Sequence, residues 1–493
     1  MELKVKQLRF LTGRPVCMIH EETAKKMSLH VGNRVLIKHG NRKIISIVDT
    51  VSGIINPSQI AVSEEILENL SLKDKDVVEV ELTEHPKSIS LIKEKLKGRH
   101  LTKQEIFEII NDIANNALTE IEVAFFIAAV FVHDMSFEET KNLIDAMVKS
   151  GNQMRLKGKV IDKHSIGGIA GNRTTPIIVA ICAAAGLIVP KTSSRAITSA
   201  AGTADVIETI ARVEFSVKEI KQIIKKTNAC LVWGGALGLA PVDDKIIRIE
   251  RMINIDSAAQ LLASILSKKI SVGSHYVLID IPFGKSAKVS KEKALELKHK
   301  FLRLGTKFGL RMEVVLTDGS EPIGNGIGPV LEIKDILKIL KREPDAPKDL
   351  KEKSLMLSGI LLEMAGKAQT KPGIELAREI LDSGKAFEKF KQIIEAQQGH
   401  LDGFPKPRYY FTVKAEKNIK IKHYDNHLIN KIARFAGCPE DKAAGIYLYK
   451  KKGDIVEKDQ PIFTIYTVSE EKLRQAKNLY NKLKKKVLEF EKI

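Results

Sequence analysis

Apolar and polar residues follow three different patterns along the chain, and each pattern predicts a different kind of structure. In roughly the first 84 residues, short apolar runs alternate with polar positions at a period of two, which is typical of strands. Between Leu101 and Gly151 apolar residues recur at helical spacing, and Thr102 and Ser136 stand where helix N-caps are expected. From Val160 onward strand-like and helix-like segments alternate, which indicates an α/β architecture.

The first 84 residues contain an internal repeat. Residues 19–37 match residues 62–80 at a constant offset of 43 positions, so that Glu21 falls on Glu64. Each copy has the pattern of a strand, a short capped helix, a turn and a second strand. Two interleaved copies predict a small barrel with pseudo-twofold symmetry. This region has no cluster of acid, base and nucleophile, so we expect it to serve in assembly, with accessory ligand binding as the alternative.

These patterns predict an α/β multidomain protein. Its parts are a small duplicated N-terminal β-barrel-like domain, a helical domain built from two segments, and a large mixed α/β domain with a C-terminal hairpin-rich subdomain. A polar stretch with Pro86 predicts a linker over residues 84–100. The expected boundaries are residues 1–84 for the barrel, 85–158 and 239–271 for the helical domain, 159–238 and 272–400 for the α/β domain, and 401–493 for the C-terminal subdomain.

Two loops rich in glycine and hydroxyl side chains flank an apolar run. Residues 163–175 read K-H-S-I-G-G-I-A-G-N-R-T-T, and residues 191–203 read K-T-S-S-R-A-I-T-S-A-A-G-T. Backbone N–H groups beside glycine, hydroxyl groups and fixed cations are the groups that bind phosphate. The apolar run between the loops is too short to cross a bilayer and predicts a buried helix. One such loop is usually an ordinary turn, but two of them favour a phosphate site.

A third loop, residues 283–288, has the sequence F-G-K-S-A-K and follows a strand-like segment. Because the carboxyl ends of parallel strands meet at one edge of a sheet, we expect the three loops to converge. Neither of the first two loops ends in the G-K-[S/T] of a Walker loop or contains G-x-G-x-x-G.

Composition limits the class of protein. The chain has 493 residues, of which 44% are hydrophobic and 29% charged, as in globular proteins. Its four cysteines are scattered without a C-x-x-C pair, so neither a zinc knuckle nor a disulfide framework is indicated. The N-terminus has no apolar signal region and no apolar run reaches 18 residues, which predicts a cytoplasmic protein without a membrane partner.

The net charge of +19 raises the alternative of nucleic-acid binding. Lysine and glutamate are interleaved along the chain, aromatic residues make up only 5%, and no signature of a nucleic-acid-binding module occurs. We therefore predict no nucleic-acid partner, and expect the positive field to attract a small anionic substrate.

Three motifs, in this order, resemble the thymidine and pyrimidine-nucleoside phosphorylase family. They are K-H-S-x-G-G from Lys163, S-x-R-x-x-T-x-A-x-G-T from Ser193, and S-A-A-Q-L-L-A-S-I-L-S-K-K from Ser257, and the resemblance runs from about Leu101 to the C-terminus. It implies phosphorolysis of an N-glycosidic bond, with inorganic phosphate as co-substrate and no cofactor. It also implies a base site that includes Ser264 and Lys268; the family's base-binding arginine has no clear counterpart. The resemblance places the inorganic phosphate at Lys163, Ser165, Thr175 and Ser193.

The second loop departs from the family pattern. Where thymidine phosphorylases have G-R-G-L-G-H-T-G-G-T, this chain has S-R-A-I-T-S-A-A-G-T, so serine, alanine and threonine replace glycines and Ser199 replaces the histidine, which adds hydroxyl groups to the loop. Together with Lys288 and the additional N-terminal domain, this departure resembles the archaeal AMP phosphorylases, which convert a nucleoside 5′-monophosphate and phosphate into a free base and ribose 1,5-bisphosphate. That resemblance implies these nucleotide-binding residues: Gly168, Ser194, Arg195, Ala196, Ile197, Thr198, Ser199, Thr203, Ser264, Lys268 and Lys288.

Two residues are candidates for proton transfer. Asp256 precedes the third motif, and a carboxylic acid with a raised pKa could protonate a leaving adenine; the alternative is that it is a helix N-cap. His164 could be an acid or a phosphate ligand, or it could only orient its loop. No cluster of acidic or histidine side chains has the spacing of a metal site, so no metal is predicted.

The resemblance further implies a homodimer formed by the helical domain, and makes the N-terminal barrel the candidate for joining dimers into a larger homo-oligomer. The alternative function is that of a pyrimidine-nucleoside phosphorylase, which needs no 5′-phosphate site. A phosphoribosyltransferase would need an acidic pair for Mg²⁺, which is not evident in the sequence.

Overall fold

The structure is a computed structural model that describes residues 1–83, 85–196, 199–253, 255 and 257–493, with Ala236 and Arg251 described by their backbone only. The described chain forms two compact units. The first contains residues 1–151 and 240–267, and the second contains residues 152–239 and 268–493. Within these residues, every helix is too short or too polar to span a membrane.

Strands and helices alternate through most of the described chain. The strands are β1 (Glu2–Gln7), β2 (Val16–His20), β3 (Arg34–His39), β4 (Arg42–Val51), β5 (Gln59–Val62), β6 (Val77–Leu82), β7 (Ile161–Ser165), β8 (Val189–Ser193), β9 (Ala229–Trp233), β10 (Tyr276–Phe283), β11 (Arg311–Asp318), β12 (Gly326–Ile327), β13 (Tyr409–Lys414), β14 (Ile419–Tyr424), β15 (Gly445–Leu448), β16 (Ile455–Val456), β17 (Pro461–Thr467) and β18 (Leu488–Lys492). The helices are α1 (Glu21–Lys26), α2 (Glu64–Leu70), α3 (Ser88–Leu96), α4 (Lys103–Ala114), α5 (Glu120–His133), α6 (Phe137–Lys149), α7 (Thr174–Ala184), α8 (Thr203–Ile207), α9 (Val217–Thr227), α10 (Pro241–Ile253), α11 (Ala258–Ser271), α12 (Lys291–Lys307), α13 (Pro329–Lys341), α14 (Lys348–Met364), α15 (Gly373–Asp382), α16 (Lys385–Ala396), α17 (Asn426–Phe435) and α18 (Glu470–Val487).

The N-terminal part of the first unit is a closed barrel with the strand order β1-β5-β2-β4-β3-β6. Strands β2 and β3 begin at Val16 and Arg34, and their counterparts β5 and β6 begin 43 residues later. The pairing of the strands follows the repeat. Strand β1 pairs parallel with β5, and β4 pairs parallel with β2. Likewise, β1 pairs antiparallel with β6, and β4 pairs antiparallel with β3. The predicted small barrel is therefore confirmed, and closure leaves it without an exposed strand edge.

The rest of the first unit is helical. At the start of α4, the Thr102 hydroxyl accepts from the backbone N–H of Glu105 while the Glu105 carboxylate accepts from that of Thr102. Ser136 and Glu139 form the same capping box at the start of α6. Both predicted helix starts are confirmed.

The stretch predicted as a linker is wrong in part, because α3 occupies most of it. The helix packs Leu91 and Ile92 inward and also buries Lys95, whose ammonium lies 2.9 Å from the carboxylate of Glu139. A buried ion pair of this kind is stable only when both charges are compensated. The stretch from residue 84 to residue 100 is polar as a whole, and this polarity obscured the apolar face of α3.

The second unit contains parallel strands that place three loops at one edge. Strand β10 lies between β7 and β11 and is parallel to both, and β8 is parallel to β9. A parallel bridge between Val160 and Ile188 joins the two groups. Strands β7, β8 and β10 end at Ser165, Ser193 and Phe283, where the three predicted loops begin. The predicted buried helix is confirmed as α7, whose residues from Thr174 to Ala183 are all buried.

The C-terminal part of the second unit has its own apolar core. It contains the sheets β12-β15-β17-β13 and β16-β14-β18, together with α17 and α18. Ile429, Ile432 and Phe463 are among its fully buried side chains. These strands pair antiparallel, but each pair joins strands that are not consecutive in the chain, so the pairs are not the hairpins that the sequence predicted.

Candidate active site

The first and third loops touch at a glycine. Gly168 has a φ of +93°, and a Cβ at this position would lie 2.9 Å from both the backbone nitrogen and the Cβ of Lys288. Only glycine fits both the left-handed backbone and this close approach. Lys288, a predicted nucleotide ligand, is therefore next to the predicted phosphate loop.

Arg173 joins the first loop to the second. Its guanidinium donates to the Thr203 hydroxyl at 3.1 Å and to the Ala201 carbonyl at 2.6 Å, while Nε donates to the Glu332 carboxylate at 2.6 Å. The expectation that the three loops converge is confirmed by these contacts and by the approach of Gly168 to Lys288.

A buried charge cluster lies under the first loop around Asp280. The Asp280 carboxylate accepts from the Thr317 hydroxyl at 2.6 Å and lies 3.2 Å from the ammonium of Lys353 and 3.9 Å from that of Lys163. The Lys163 ammonium also donates to the Thr174 hydroxyl at 2.8 Å. This network fixes the ammonium of Lys163, a predicted phosphate ligand, from below.

A second buried cluster surrounds Asp162. Its carboxylate lies 3.1 Å from the Lys191 ammonium and 2.6 Å from the Lys269 ammonium. The Lys191 ammonium donates in addition to the Lys163 carbonyl at 2.7 Å. Lys191 begins the second loop, so this cluster ties the second loop to the first.

The two clusters together hold more positive than negative charge. Within the described residues, four ammonium groups, those of Lys163, Lys191, Lys269 and Lys353, form ion pairs with two carboxylates, those of Asp162 and Asp280, and none of the six side chains is more than 8% exposed. An uncompensated buried charge costs several kcal/mol. The arrangement therefore favours binding of an anion beside these lysines.

The pKa values of the aspartates and lysines in the two clusters are shifted by burial and by the neighbouring charges. Burial raises the pKa of Asp162, but Lys191 and Lys269 outweigh burial and hold it below its ordinary value. Burial lowers the pKa of Lys163 to about 8 and that of Lys269 to about 7, although Asp280 and Asp162 act in the opposite direction. A bound anion would stabilise the charged form of both lysines.

His164 is surrounded by these cations. Burial, followed by the charges of Lys269 and Lys191, lowers the pKa of His164 well below its ordinary value. The ring is therefore neutral at neutral pH and is a weak acid. These surroundings favour an orienting role for His164, one of the roles expected from the sequence, over proton donation.

Two hydroxyl groups near the clusters have no partner within the described chain. They are Ser165 Oγ and Thr192 Oγ1, and both are shielded from solvent. Buried polar groups are nearly always hydrogen-bonded, so an unpaired hydroxyl next to excess positive charge fits an anion ligand. Of the other predicted phosphate ligands, Ser193 donates to the Val232 carbonyl at 3.3 Å, and Thr175 is buried in the first turn of α7.

The second loop is folded around a buried carboxylate. Asp205 accepts from the backbone N–H groups of Ala196 at 2.7 Å and Gly202 at 2.8 Å. The Ser199 hydroxyl donates to the Ala201 carbonyl at 2.9 Å, whereas Ser194 is exposed. The predicted ligands Ile197 and Thr198 lie outside the described residues.

The side chain of Arg195 is held by acidic residues. Its guanidinium makes two hydrogen bonds of 2.7 Å to Glu208 and one of 3.0 Å to Glu214, and lies 5.0 Å from the centre of the Trp233 ring. These contacts position the loop and leave the guanidinium already engaged by carboxylates. Any contact of Arg195 with a nucleotide would then come mainly from its backbone.

The predicted base-binding residues lie on α11. In the first unit, the Ser264 hydroxyl donates to the buried carboxylate of Asp243 at 3.0 Å. In the second unit, Lys268 is half-buried, and its charge contributes to the lowered pKa of Lys269. The predicted acid Asp256 lies outside the described residues. Within the part of the chain that the structure describes, no group of three histidine, cysteine or acidic side chains could hold a metal ion.

Five charged residues of this site were not predicted from the sequence: Asp162, Asp280, Lys269, Lys353 and Asp205. Asp280 carried a signal, because it is a charged residue inside an otherwise apolar strand and must find compensation there. Asp162 lies in a strand that is mostly polar and did not stand out in this way. No sequence signal marked Lys353, because it contacts Asp280 from α14, which lies far along the chain.

Three family descriptions match this chain. Residues 157–387 match the a/b domain of a glycosyl transferase family, and residues 89–151 match the helical bundle domain of the same group. Residues 420–485 match the C-terminal domain of pyrimidine nucleoside phosphorylases.

Whole-chain relatives are similar over nearly all of the sequence. AMP phosphorylase from Thermococcus sibiricus is 45% identical over 482 residues, which are 97% of this chain and 95% of the relative. AMP phosphorylase from Methanocaldococcus jannaschii is 42% identical over 93% of this chain and 92% of its own length. A putative thymidine phosphorylase from Legionella pneumophila is 42% identical over 91% of this chain and 87% of its own length.

Among solved structures, the fold is similar to that of anthranilate phosphoribosyltransferase from Thermus thermophilus. The TM-score is 0.53 at 19% sequence identity, and the match covers 62% of this chain and 99% of the other. At this identity the likeness shows a shared fold alone. The relatives that match almost the whole chain, together with the three matched domains, decide the family: the chain belongs to the AMP phosphorylases.

Proposed function

We propose that this protein catalyses phosphorolysis of nucleoside 5′-monophosphates, converting AMP and phosphate into adenine and ribose 1,5-bisphosphate. It is then a pentosyltransferase of AMP catabolism and nucleotide salvage, with inorganic phosphate as co-substrate. The observation that carries the proposal is the buried cluster of four lysines and two aspartates beneath three hydroxyl-rich loops. AMP phosphorylases are also the relatives that match 97% of the chain.

Inorganic phosphate has the charge that the clusters lack. A phosphate dianion beside Lys163 and the unpaired Ser165 hydroxyl would offset the positive charge of the lysines. We assign the inorganic phosphate to Lys163, Ser165, Thr175 and Ser193. Such a position fixes the nucleophile before reaction, which reduces the entropic part of the barrier.

The nucleotide is assigned to the second and third loops and to α11. Contact between Gly168 and Lys288 brings the third loop beside the phosphate loop, where a second anionic group could bind. The proposed nucleotide-binding residues are Gly168, the loop from Ser194 to Ser199, Thr203, Ser264, Lys268 and Lys288.

The reaction breaks the bond between C1′ and the base nitrogen and forms a bond between C1′ and a phosphate oxygen. Positive charge develops on the ribose as the base leaves, and the bound phosphate anion stabilises it. The departing base needs a proton, which we assign to Asp256. His164, neutral beside the lysines, is assigned to orienting the first loop.

We also propose that the protein is cytoplasmic and forms a homodimer through its helices, with the barrel joining dimers into larger assemblies. Large apolar side chains that are exposed in the first unit support a helical interface. They include Ile121 at 70%, Phe125 at 53% and Val132 at 67% exposure on α5, and Met252 at 70% on α10.

The first prediction concerns substrate choice. We expect kcat/KM for AMP to exceed that for adenosine roughly 100-fold, because adenosine lacks the charge-assisted hydrogen bonds of the 5′-phosphate. The measurement is release of free adenine from each substrate with and without inorganic phosphate. Equal turnover of adenosine, uridine or thymidine and its monophosphate would instead support the pyrimidine-nucleoside phosphorylase alternative.

The second prediction concerns pH. The pKa of about 8 means that Lys163 is charged below that pH and loses its proton above it. Phosphate binding needs the charged form, so KM for phosphate should rise above about pH 8 by up to roughly tenfold per unit. The measurement is KM for phosphate between about pH 7.5 and 9.5 at saturating AMP.

Lys163→Met should raise KM for phosphate throughout this range and remove the additional rise above about pH 8. Lys391→Met is the matched control, because Lys391 lies on α16 with its side chain 51% exposed. An unchanged pH profile in Lys163→Met would assign the titration to another group.

The third prediction concerns Asp256. The Ser257 hydroxyl accepts from the backbone N–H of Gln260 at 3.2 Å and so caps α11, which leaves proton donation as the role to test at Asp256. Asn is close to Asp in size but cannot donate a carboxylic proton. We expect kcat to fall roughly 10²- to 10⁴-fold while KM for phosphate stays the same. Asp244→Asn, an exposed aspartate on α10, is the control. A kcat close to that of the unmodified protein would rule out Asp256 as the proton donor.

A further inference from the structure

Helix α17 buries two asparagines one turn apart. Asn426 is fully buried and Asn430 is 5% exposed. Buried amide groups require hydrogen-bond partners. Both asparagines find partners in the loops of the proposed active site, although α17 belongs to the C-terminal core.

Asn426 connects the first and third loops. Its side-chain oxygen accepts from the backbone N–H of Ala170, in the first loop, at 3.0 Å. Its side-chain nitrogen donates to the Ser286 hydroxyl, in the third loop, at 3.0 Å, and to the Gly319 carbonyl at 3.1 Å. The Asn426 backbone N–H donates to the same Ser286 hydroxyl at 3.2 Å.

Asn430 holds the second loop in the same manner. Its side-chain oxygen accepts from the backbone N–H of Ala200 at 3.0 Å, in a buried hydrogen bond. Ala200 lies beside Ser199 and close to Thr203, both of which we assign to the nucleotide. One face of α17 therefore contacts all three loops.

The methyl groups of the two alanines reinforce these bonds. Ala170 and Ala200 are buried at 0% and 1% exposure and pack in the same apolar cluster as Ile429, Ile432 and Ala433 of α17. The first and second loops are thus each held twice, by an alanine that packs in the C-terminal core and by an asparagine that accepts from the backbone N–H of that alanine. Because the asparagines are four residues apart on one helix, their spacing along the axis is fixed at about 6 Å.

We propose that Asn426 and Asn430 are positioning residues of the active site, with Asn430 setting the nucleotide loop and Asn426 setting the phosphate loop and the third loop. The C-terminal part of the protein then contributes to catalysis by holding the three loops in fixed positions relative to one another. This inference rests on the proposed function for the identity of the ligands, and on the hydrogen bonds above for the positioning.

The test compares Asn430→Ala and Asn426→Ala with Asn418→Ala. The Asn418 side-chain oxygen also accepts from a backbone N–H, that of Lys458 at 2.9 Å, but contacts none of the loops in the bonds it makes. Asn430→Ala should raise KM for AMP roughly tenfold and leave KM for phosphate within about twofold. Asn426→Ala should raise KM for phosphate by a similar factor, and KM for AMP as well, because the third loop carries Lys288. Asn418→Ala should change neither.

Hydrogen–deuterium exchange measures positioning without turnover, and so remains informative if a variant loses activity. Asn430→Ala should speed exchange in residues 199–203 and Asn426→Ala in residues 168–171, with little change across the β13–β17 sheet. Uniformly faster exchange through the C-terminal part, or equal KM values in all three variants, would overturn the positioning role. An unmodified protein that does not split AMP would refute the proposed function, and the exchange pattern would then still decide whether the asparagines position the loops.

Discussion

A buried excess of positive charge is the constraint on which the site depends. Four lysines and two aspartates are enclosed beneath the first loop, and neither hydrogen bonds nor the two carboxylates balance the four ammonium groups. The strands carry the two aspartates into the interior, and lysines from β7, β8, α11 and α14 meet them there. In the proposed function, an anion that enters from the loops offsets this charge, and the affinity for phosphate would then follow from the packing of the sheet itself.

The loops to which we assign the anion are held by contacts from several elements. Arg173 links the first loop to the second, Gly168 brings the first against the third, and α17 anchors all three. None of these contacts uses the unpaired Ser165 hydroxyl. The chain thus separates groups that shape the loops from groups that remain available to a ligand, which is the arrangement expected of a preorganised site.

Patterns among residues close together in the sequence predicted the elements and loops that such residues form. The repeat indicated the barrel, the capping residues Thr102 and Ser136 marked their helices, and the glycine- and hydroxyl-rich segments lie at the ends of parallel strands as expected. The prediction of a linker over α3 was wrong because the burial of Lys95 in this helix depends on an ion pair with Glu139, which lies 44 residues away in the sequence. The role of α17 was not visible for the same reason, since Asn426 and Asn430 contact loops more than 130 residues earlier in the chain.

The most direct test of the central claim is the position of a bound dianion. Crystals of the protein soaked in tungstate, a tetrahedral dianion, give an anomalous signal that locates the ion without reference to activity. We expect a peak about 4 Å from Ser165 Oγ, because a tungstate oxygen that accepts a hydrogen bond from the hydroxyl lies between the two atoms, and we expect the peak to lie beside the Lys163 ammonium. A peak only beside the second loop or Lys288, with none at Ser165, would contradict it, because the buried lysine charge would then be serving some purpose other than binding phosphate.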